Sequence, residues 1–219
     1  MVTSIRQFPL PEKFLLGGEK GVRNNRALES LTATSDGEVA FTASEAALVQ
    51  DGEDATLAAG SPARIVQYDV ATGEPQQEFL YYTDPLPFES NLPEGFSTGG
   101  LVELLALDRT HLLSMERAFA EGVGNAVRIF EVSLAGADDI RSIDSLLEAE
   151  SEGDRIQPVQ KKLLLALEPP GAIVDNLEGI IFGTPLPDGR QTLILMSDNN
   201  FNPIQITQFL IIANPKVPE

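Results

Sequence analysis

The sequence predicts an all-β protein, a β-propeller of about three four-stranded blades, on three observations. Three segments, NRALESLTATSDGEVAFTASE at 25–45, GLVELLALDRTHLLSMER at 100–117 and NLEGIIFGTPLPDGRQTLILMSD at 176–198, can be laid over one another. Within each, apolar residues alternate with a period of two, the spacing of a half-buried strand. Turn-forming Asp and Gly then interrupt the alternation at matching places.

The alignment brings Glu29, Glu103 and Glu178 together, with 74 residues separating the first two and 75 the last two. Leu31 and Ala33, Leu105 and Leu107, and Ile180 and Phe182 then form the buried face of each first strand. Asp36-Gly37, Asp108-Arg109 and Asp188-Gly189 close the hairpins, and Phe41, Leu112 and Ile194 continue the apolar face on each second strand. The acids Glu45, Glu116 and Asp198 coincide at the second strand's end. A third strand follows an insertion in each copy: RIVQYDV from Arg64, VRIFEVSL from Val127 and TQFLIIA from Thr207. A fourth is legible in two copies, QQEFLYYT from Gln76 and KKLLLALE from Lys161. FLL near Phe14 fits an outer strand of a preceding blade, and IDSLLEAE at 143–150 fits a short surface helix. One domain over 1–219 is expected, with blades near 25–83, 100–168 and 176–213 and an outer strand within 1–24. Four antiparallel strands repeated in tandem are the pattern of propeller blades, and the insertions lengthen the unit beyond the ~40–50 residues of common blades. A β-sandwich is the competing architecture.

Composition narrows the function. Fifteen Lys and Arg face 33 Asp and Glu, a formal charge of −18, and there is no Cys, no Trp and one His. Nucleic acid is excluded as a partner because phosphate binding rests on Lys and Arg displacing counterions. Thiolate zinc sites, disulfides, cysteine catalysis and His-rich metal cages are excluded as well. The N-terminus lacks an apolar stretch of signal-peptide length, and the longest apolar runs are too short to span a bilayer, so no membrane association is expected. Walker, dinucleotide and Gly-x-Ser-x-Gly motifs are absent.

Carboxylates are therefore the main chemical resource. Innermost propeller strands face a central channel, where Glu29, Glu103 and Glu178 would converge. Crowded carboxylates require either a cation or raised pKa values, and hard oxygen donors select Ca²⁺ or Mg²⁺. Glu29, Glu103, Glu178 and Asp198 are the expected Ca²⁺ ligands; the alternative is that each Glu latches neighbouring blades by accepting backbone hydrogen bonds. The loop SDNNFNPIQITQ at 197–208 offers amide and carboxylate oxygens, against the alternative of Asx turns that cap their own backbone. Arg26, Arg117, Asn199 and Asn200 are the expected substrate contacts, Arg being suited to bidentate anion binding. Arg190 lies at the turn between strands, and for it, as for Arg26 and Arg117, a buried or inter-blade salt bridge is the alternative to an anion site. His111, aligned with Ala40 and Leu193, reads as a packing position. The acidic stretch 138–154 and the segment 50–63 are expected to be solvated connections, although the acids and glycines of 50–63 could loosely bind Ca²⁺ without matching an EF-hand.

At these residues the sequence resembles the phytase-like family, described as having esterase-like activity of phytase. The resemblance is carried by NNRALESLTATSDGEVAFTASEAALVQDG, by SMERAF and above all by DNLEG paired with SDNNF and the following Gln-x-Thr-Gln. It implies a β-propeller, an exported protein of the periplasm or extracellular space, and hydrolysis of phosphomonoesters or esters, with Glu29, Glu178, Asp198, Asn199 and Asn200 on the family's distinctive positions. Family members are commonly longer, so the chain looks like the carboxyl-terminal half of one. The expected function is hydrolysis of a small anionic or ester substrate assisted by Ca²⁺, and the alternative is a non-catalytic binding or scaffold propeller. Three blades do not close a ring, since closed propellers have ~4–8. The expected partner is therefore a missing propeller half or a second copy in a homodimer.

Overall fold

The computed structural model describes residues 7–213. The chain forms three consecutive antiparallel sheets, each built from strands adjacent in sequence. The first holds β1 (Thr32–Ala33), β2 (Val39–Ala43), β3 (Pro62–Asp69) and β4 (Pro75–Tyr82) in that order. The second holds β5 (Ser97–Ala106), β6 (His111–Ala120), β7 (Gly124–Ser133) and, after helix α1 (Leu146–Glu152), β8 (Gln160–Leu167). The third has β9 (Leu177–Phe182), β10 (Thr192–Ser197) and β11 (Phe209–Ala213), with β10 in the middle. The all-β expectation holds, and no helix of the described residues is long and apolar enough to cross a membrane.

The turns follow the sequence chemistry. Gly37 and Gly189 take φ of +72° and +85°, the left-handed region that closes a tight hairpin. At the β5–β6 hairpin the Asp108 carboxylate accepts the backbone N–H of Thr110 at 2.6 Å and of His111 at 2.8 Å, an Asx turn in place of a glycine. Helix α1 begins at Ser145, whose hydroxyl accepts the Glu148 N–H, and ends at Gly153 with φ +94°.

Packing stacks the sheets face to face. Phe41, Ile65, Phe79 and Tyr81 of the first sheet meet Leu101, Leu104, Leu112 and Phe130 of the second. The second sheet's other face, with Leu113, Met115, Val127 and Ile129, buries Leu177, Ile180, Leu193 and Leu195 of the third. Strand β5 lies between β1 and β2 on one side and β9 on the other. These first strands thus gather on one side of the molecule, and their ends position the site.

Three segments depart from expectation. Leu31 and Ala33 do not face the core: Leu31 is 79% exposed and Ala33 exposed, because the residue gained ahead of them turns Thr32 and Thr34 inward instead. FLL near Phe14 is not an outer strand: Glu12–Phe14 forms a single 3-10 turn, and Phe14, fully buried, packs with Val22, Leu48, Val66 and Tyr68 over the outer face of the first sheet. Pro9 and Pro11 before it and Gly17-Gly18 after it prevent an extended ladder. The acidic connection 138–154 is not wholly solvated. Ile140 and Leu146 are buried against Leu80, and the Glu78 and Leu80 carbonyls of β4 accept the backbone N–H groups of Ile140 and Val159, which covers the edge of the first sheet.

Register carries the most informative difference. Between the pairs Leu28–Ser44 and Thr32–Phe41 the first strand gains one residue on its partner. The same happens between Leu101–Glu116 and Glu103–Met115, and between Leu177–Ser197 and Gly179–Met196. Each first strand thus bulges just after its leucine. Matching these bulges pairs Glu29 and Glu178 with Val102, while Glu103 lies one residue later. At the second strand's end Glu45 and Asp198 correspond to Arg117, not to Glu116.

Candidate functional site

Where the first strands begin and the second strands end, the three sheets enclose an open cavity of about 1110 Å³. Its wall includes the carboxylates Glu29, Glu45, Glu103, Glu121, Glu178 and Asp198, against the two cations Arg26 and Arg117. The residues expected to act together thus face one space, apart from Asn199. Six acids with two bases make this wall strongly negative when ionised.

Glu45 follows β2, and its backbone joins the first sheet to the second: its N–H donates to the Ala27 carbonyl at 2.9 Å and its carbonyl accepts from Leu101 at 2.8 Å. The residue is 8% exposed, and its carboxylate accepts no hydrogen bond from the described residues. Burial pushes its pKa up; Arg26 and Arg117 oppose this through space, while Glu29 and Glu178 add to it. Gly100 makes the room: a Cβ there would stand 2.5 Å from the Glu45 Cγ and 2.7 Å from its carbonyl oxygen.

Glu103, half-buried on β5, has its pKa pushed up to about 7 by burial, against the lowering effect of the Leu104 and Leu31 backbone N–H groups that it accepts. The Leu31 contact crosses to the first sheet, so Glu103 also joins sheets. Glu178 accepts from the Arg117 guanidinium at 3.3 Å, tying the third sheet to the second. Arg26 donates to the Thr98 hydroxyl and to the Gly99 carbonyl at 3.1 Å, and its guanidinium lies 3.6 Å from Asp54. Both arginines are thus engaged between elements while facing the cavity.

The loop after β10 is an Asx-turn structure. The Asp198 carboxylate accepts the Asn200 N–H at 3.0 Å, Asn199 accepts the Phe201 N–H at 3.0 Å, and Asn202 accepts the Ile204 N–H at 3.2 Å. Asn199 spends its oxygen on that turn and lies off the cavity wall; Asn200 reaches the wall with its amide 3.5 Å from Gln205. Asp175 and Gln208 lock the loop to the start of β9, since the Asp175 carboxylate accepts the Ile206 N–H at 2.7 Å and the Gln208 side chain accepts the Asp175 N–H at 3.2 Å.

Other sequence candidates lie elsewhere. Glu116 points to the opposite side of β6, where it accepts from Tyr81 at 2.6 Å, from the Asp84 N–H at 2.8 Å and from Lys161 at 2.6 Å. His111 is not packed: it sits 3.0 Å from Asp108 on the exposed hairpin. Arg190 pairs with Asp188 in its own turn at 2.7 Å. Asp51 offers nothing to a cation, because the buried Arg64 holds both of its oxygens, at 2.6 and 2.8 Å.

Glu29, Glu103, Glu178 and Asp198 do not fit a preformed Ca²⁺ centre. Among the described residues no group of three or more Asp, Glu or His side chains is close enough to hold a metal ion. The four carboxylates are spread over three sheets around a wide opening, and Glu178 already has a counter-ion. Sequence reasoning passed over Glu121 and the aromatic pair Phe96 and Phe119, whose rings lie 5.6 Å apart on the same wall. Phe119 falls inside SMERAF, but its counterparts in the other two sheets are not aromatic, so no repeat pattern marked it.

No curated protein matches the chain. The model of the phytase-like family, described as esterase-like activity of phytase, matches residues 3–201. That span takes in the cavity wall up to Asn200, and the chain belongs to the phytase-like family.

Proposed function

We propose that the cavity is the active site of an ester hydrolase in which Glu103 activates water. The observation that carries this reading is the convergence on one 1110 Å³ cavity of acids and arginines from all three sheets. Family membership adds a hydrolase-type chemistry in the broad sense, and the three stacked sheets are consistent with successive blades of a propeller. A general base works best when its pKa lies near the operating pH, and Glu103, pushed up to about 7, meets that condition. Its carboxylate takes a proton from water, the hydroxide oxygen bonds to the ester carbonyl carbon, and the guanidinium of Arg117 or Arg26 faces the oxyanion. Collapse of the tetrahedral intermediate breaks the bond to the alcohol oxygen, which recovers the proton from Glu103. Phosphomonoesters are the less favoured substrates, since the acidic wall repels a dianion unless cations accompany it. No step here needs a metal.

The test is hydrolysis of p-nitrophenyl acetate, p-nitrophenyl phosphate and phytate, each with Ca²⁺ and with chelator. The expected result is acetate hydrolysis that survives chelation and falls by about 10²-fold or more in Glu103→Gln. Equal hydrolysis by the variant rejects Glu103 as base; phytate hydrolysis that requires Ca²⁺ restores the metal-assisted reading.

A second reading, a non-catalytic module, is favoured by the Arg117–Glu178 pair and the Glu103 contact to Leu31, which latch sheets together. It predicts that Glu178→Gln lowers the melting temperature and that no ester is turned over.

A further inference from the structure

A mostly buried carboxylate that accepts no hydrogen bond from its own protein, and opens only onto a cavity, is left for water or a ligand to satisfy. Glu45 is such a group: it is 8% exposed, it accepts no hydrogen bond from the described residues, and it lies on the cavity wall. Gly100 leaves the space that it occupies, and any larger residue there would collide with it. Around it stand five more acids, while the two arginines of the wall are turned to Glu178 and to Thr98, Gly99 and Asp54. With no donor from the protein on its carboxylate and an excess of acids around it, the side of Glu45 that faces the cavity suits a positively charged donor from outside the protein. A metal ion is the poorer fit, because no group of three ligating side chains forms among the described residues and the opening is far larger than an ion. Phe96 and Phe119 supply, on the same wall, an apolar and π-rich surface suited to the carbon chain beside an ammonium.

We propose that the cavity binds an organic cation carrying a primary ammonium group, with Glu45 as the acceptor of its N–H and the Phe96–Phe119 pair against its hydrocarbon. The inference deepens the hydrolase reading and rests on it only in naming the substrate as an amine-bearing ester. The ammonium fixes the acyl or alcohol chain, and Glu103 acts on the ester bond elsewhere on the wall.

Two measurements separate these claims. Calorimetric titration with hexylammonium, and with 1-hexanol as the neutral counterpart, reads binding without catalysis. Hexylammonium is expected to bind and hexanol not, with affinity about tenfold weaker in Glu45→Gln, the loss of one charge-assisted hydrogen bond. Equal binding of the two probes, or binding unchanged by the substitution, overturns the proposal, the latter because it leaves only nonspecific attraction to an acidic surface. Should Glu45→Gln fail to fold, titration of the unaltered protein in two buffers of different ionisation enthalpy decides. An ammonium that settles on Glu45 favours the ionised carboxylate, so binding must release protons at mildly acidic pH, and no release overturns the proposal. Turnover of p-nitrophenyl 6-aminohexanoate against p-nitrophenyl hexanoate then tests the link to catalysis. The amino ester is expected to have a kcat/KM about tenfold higher, a preference that collapses in Glu45→Gln. Hexylammonium binding with neither ester hydrolysed leaves the binding site standing and rejects the hydrolase reading.

Discussion

Glu103 and Glu45 show how the surroundings of one residue decide its chemistry. Both are carboxylates on the same wall, yet Glu103 accepts backbone N–H groups and Glu45 none. Because burial raises the Glu103 pKa to about 7, the folded protein holds this proton more tightly than the unfolded chain, and stability falls as pH rises from the usual carboxylate range through about 7. Glu103→Gln keeps an oxygen to accept those N–H groups and removes the charge. It should therefore raise stability above neutral pH, by about 1 kcal/mol once its partial exposure is allowed for, and flatten the dependence of melting temperature on pH. A latch role alone predicts the opposite sign, and melts recorded across that pH range distinguish the two. At Gly100 the expected outcome is a loss: Gly100→Ala puts a Cβ 2.7 Å from the Glu45 carbonyl oxygen and should cost about 1–3 kcal/mol in denaturant unfolding. Melting unchanged by this substitution would mean that Glu45 has other room.

At the scale of elements, the strands and turns were legible in the sequence and the register was not. Asp36-Gly37 and Asp188-Gly189 marked two hairpins, and the alternation from Arg64, Val127, Gln76 and Lys161 marked strands that all formed. The bulge after Leu28, Leu101 and Leu177 was hidden, because one inserted residue leaves the two-residue alternation intact on each side. Aligning the acids rather than those leucines set Glu103 beside Glu29 and Glu178, and Glu116 beside Glu45 and Asp198. The FLL segment misled because three apolar residues suit a strand as well as a buried turn, and only the flanking prolines and glycines distinguish them. Strand β3 carries an ion cluster that no pattern announced. Arg64, fully buried, holds Asp51 at 2.6 Å and Glu78 at 3.1 Å, and Lys13 reaches the same Glu78 oxygen at 3.4 Å. Burial pushes the Glu78 pKa up against those cations. Arg64→Ala leaves the buried Asp51 without its counter-ion and Glu78 with Lys13 alone, and should cost about 3–5 kcal/mol in urea unfolding. A cost no larger than that of a surface substitution would show that water enters the cluster.

Across the whole molecule the two ends of the sheet stack differ. The segment with Phe14 and Val22 covers the outer face of the first sheet, whereas the outer face of the third carries Ile181, Met196, Phe209 and Ile211 at 59, 44, 64 and 72% exposure. Their register places all four on one side of that sheet. An apolar face of this kind seeks a cover, and with one such end a pair of chains meets it by two-fold contact. Light scattering should therefore find reversible self-association that Ile211→Lys abolishes, and a monomer at every concentration would contradict it. The central claim remains that the cavity shared by the three sheets is a hydrolytic site worked by Glu103. Its most direct test is the pH profile of kcat/KM for p-nitrophenyl acetate in the presence of chelator. A base with a pKa of about 7 predicts activity that rises with pH through that value and a rise that disappears in Glu103→Gln. A flat profile, or the same rise in the variant, would contradict it.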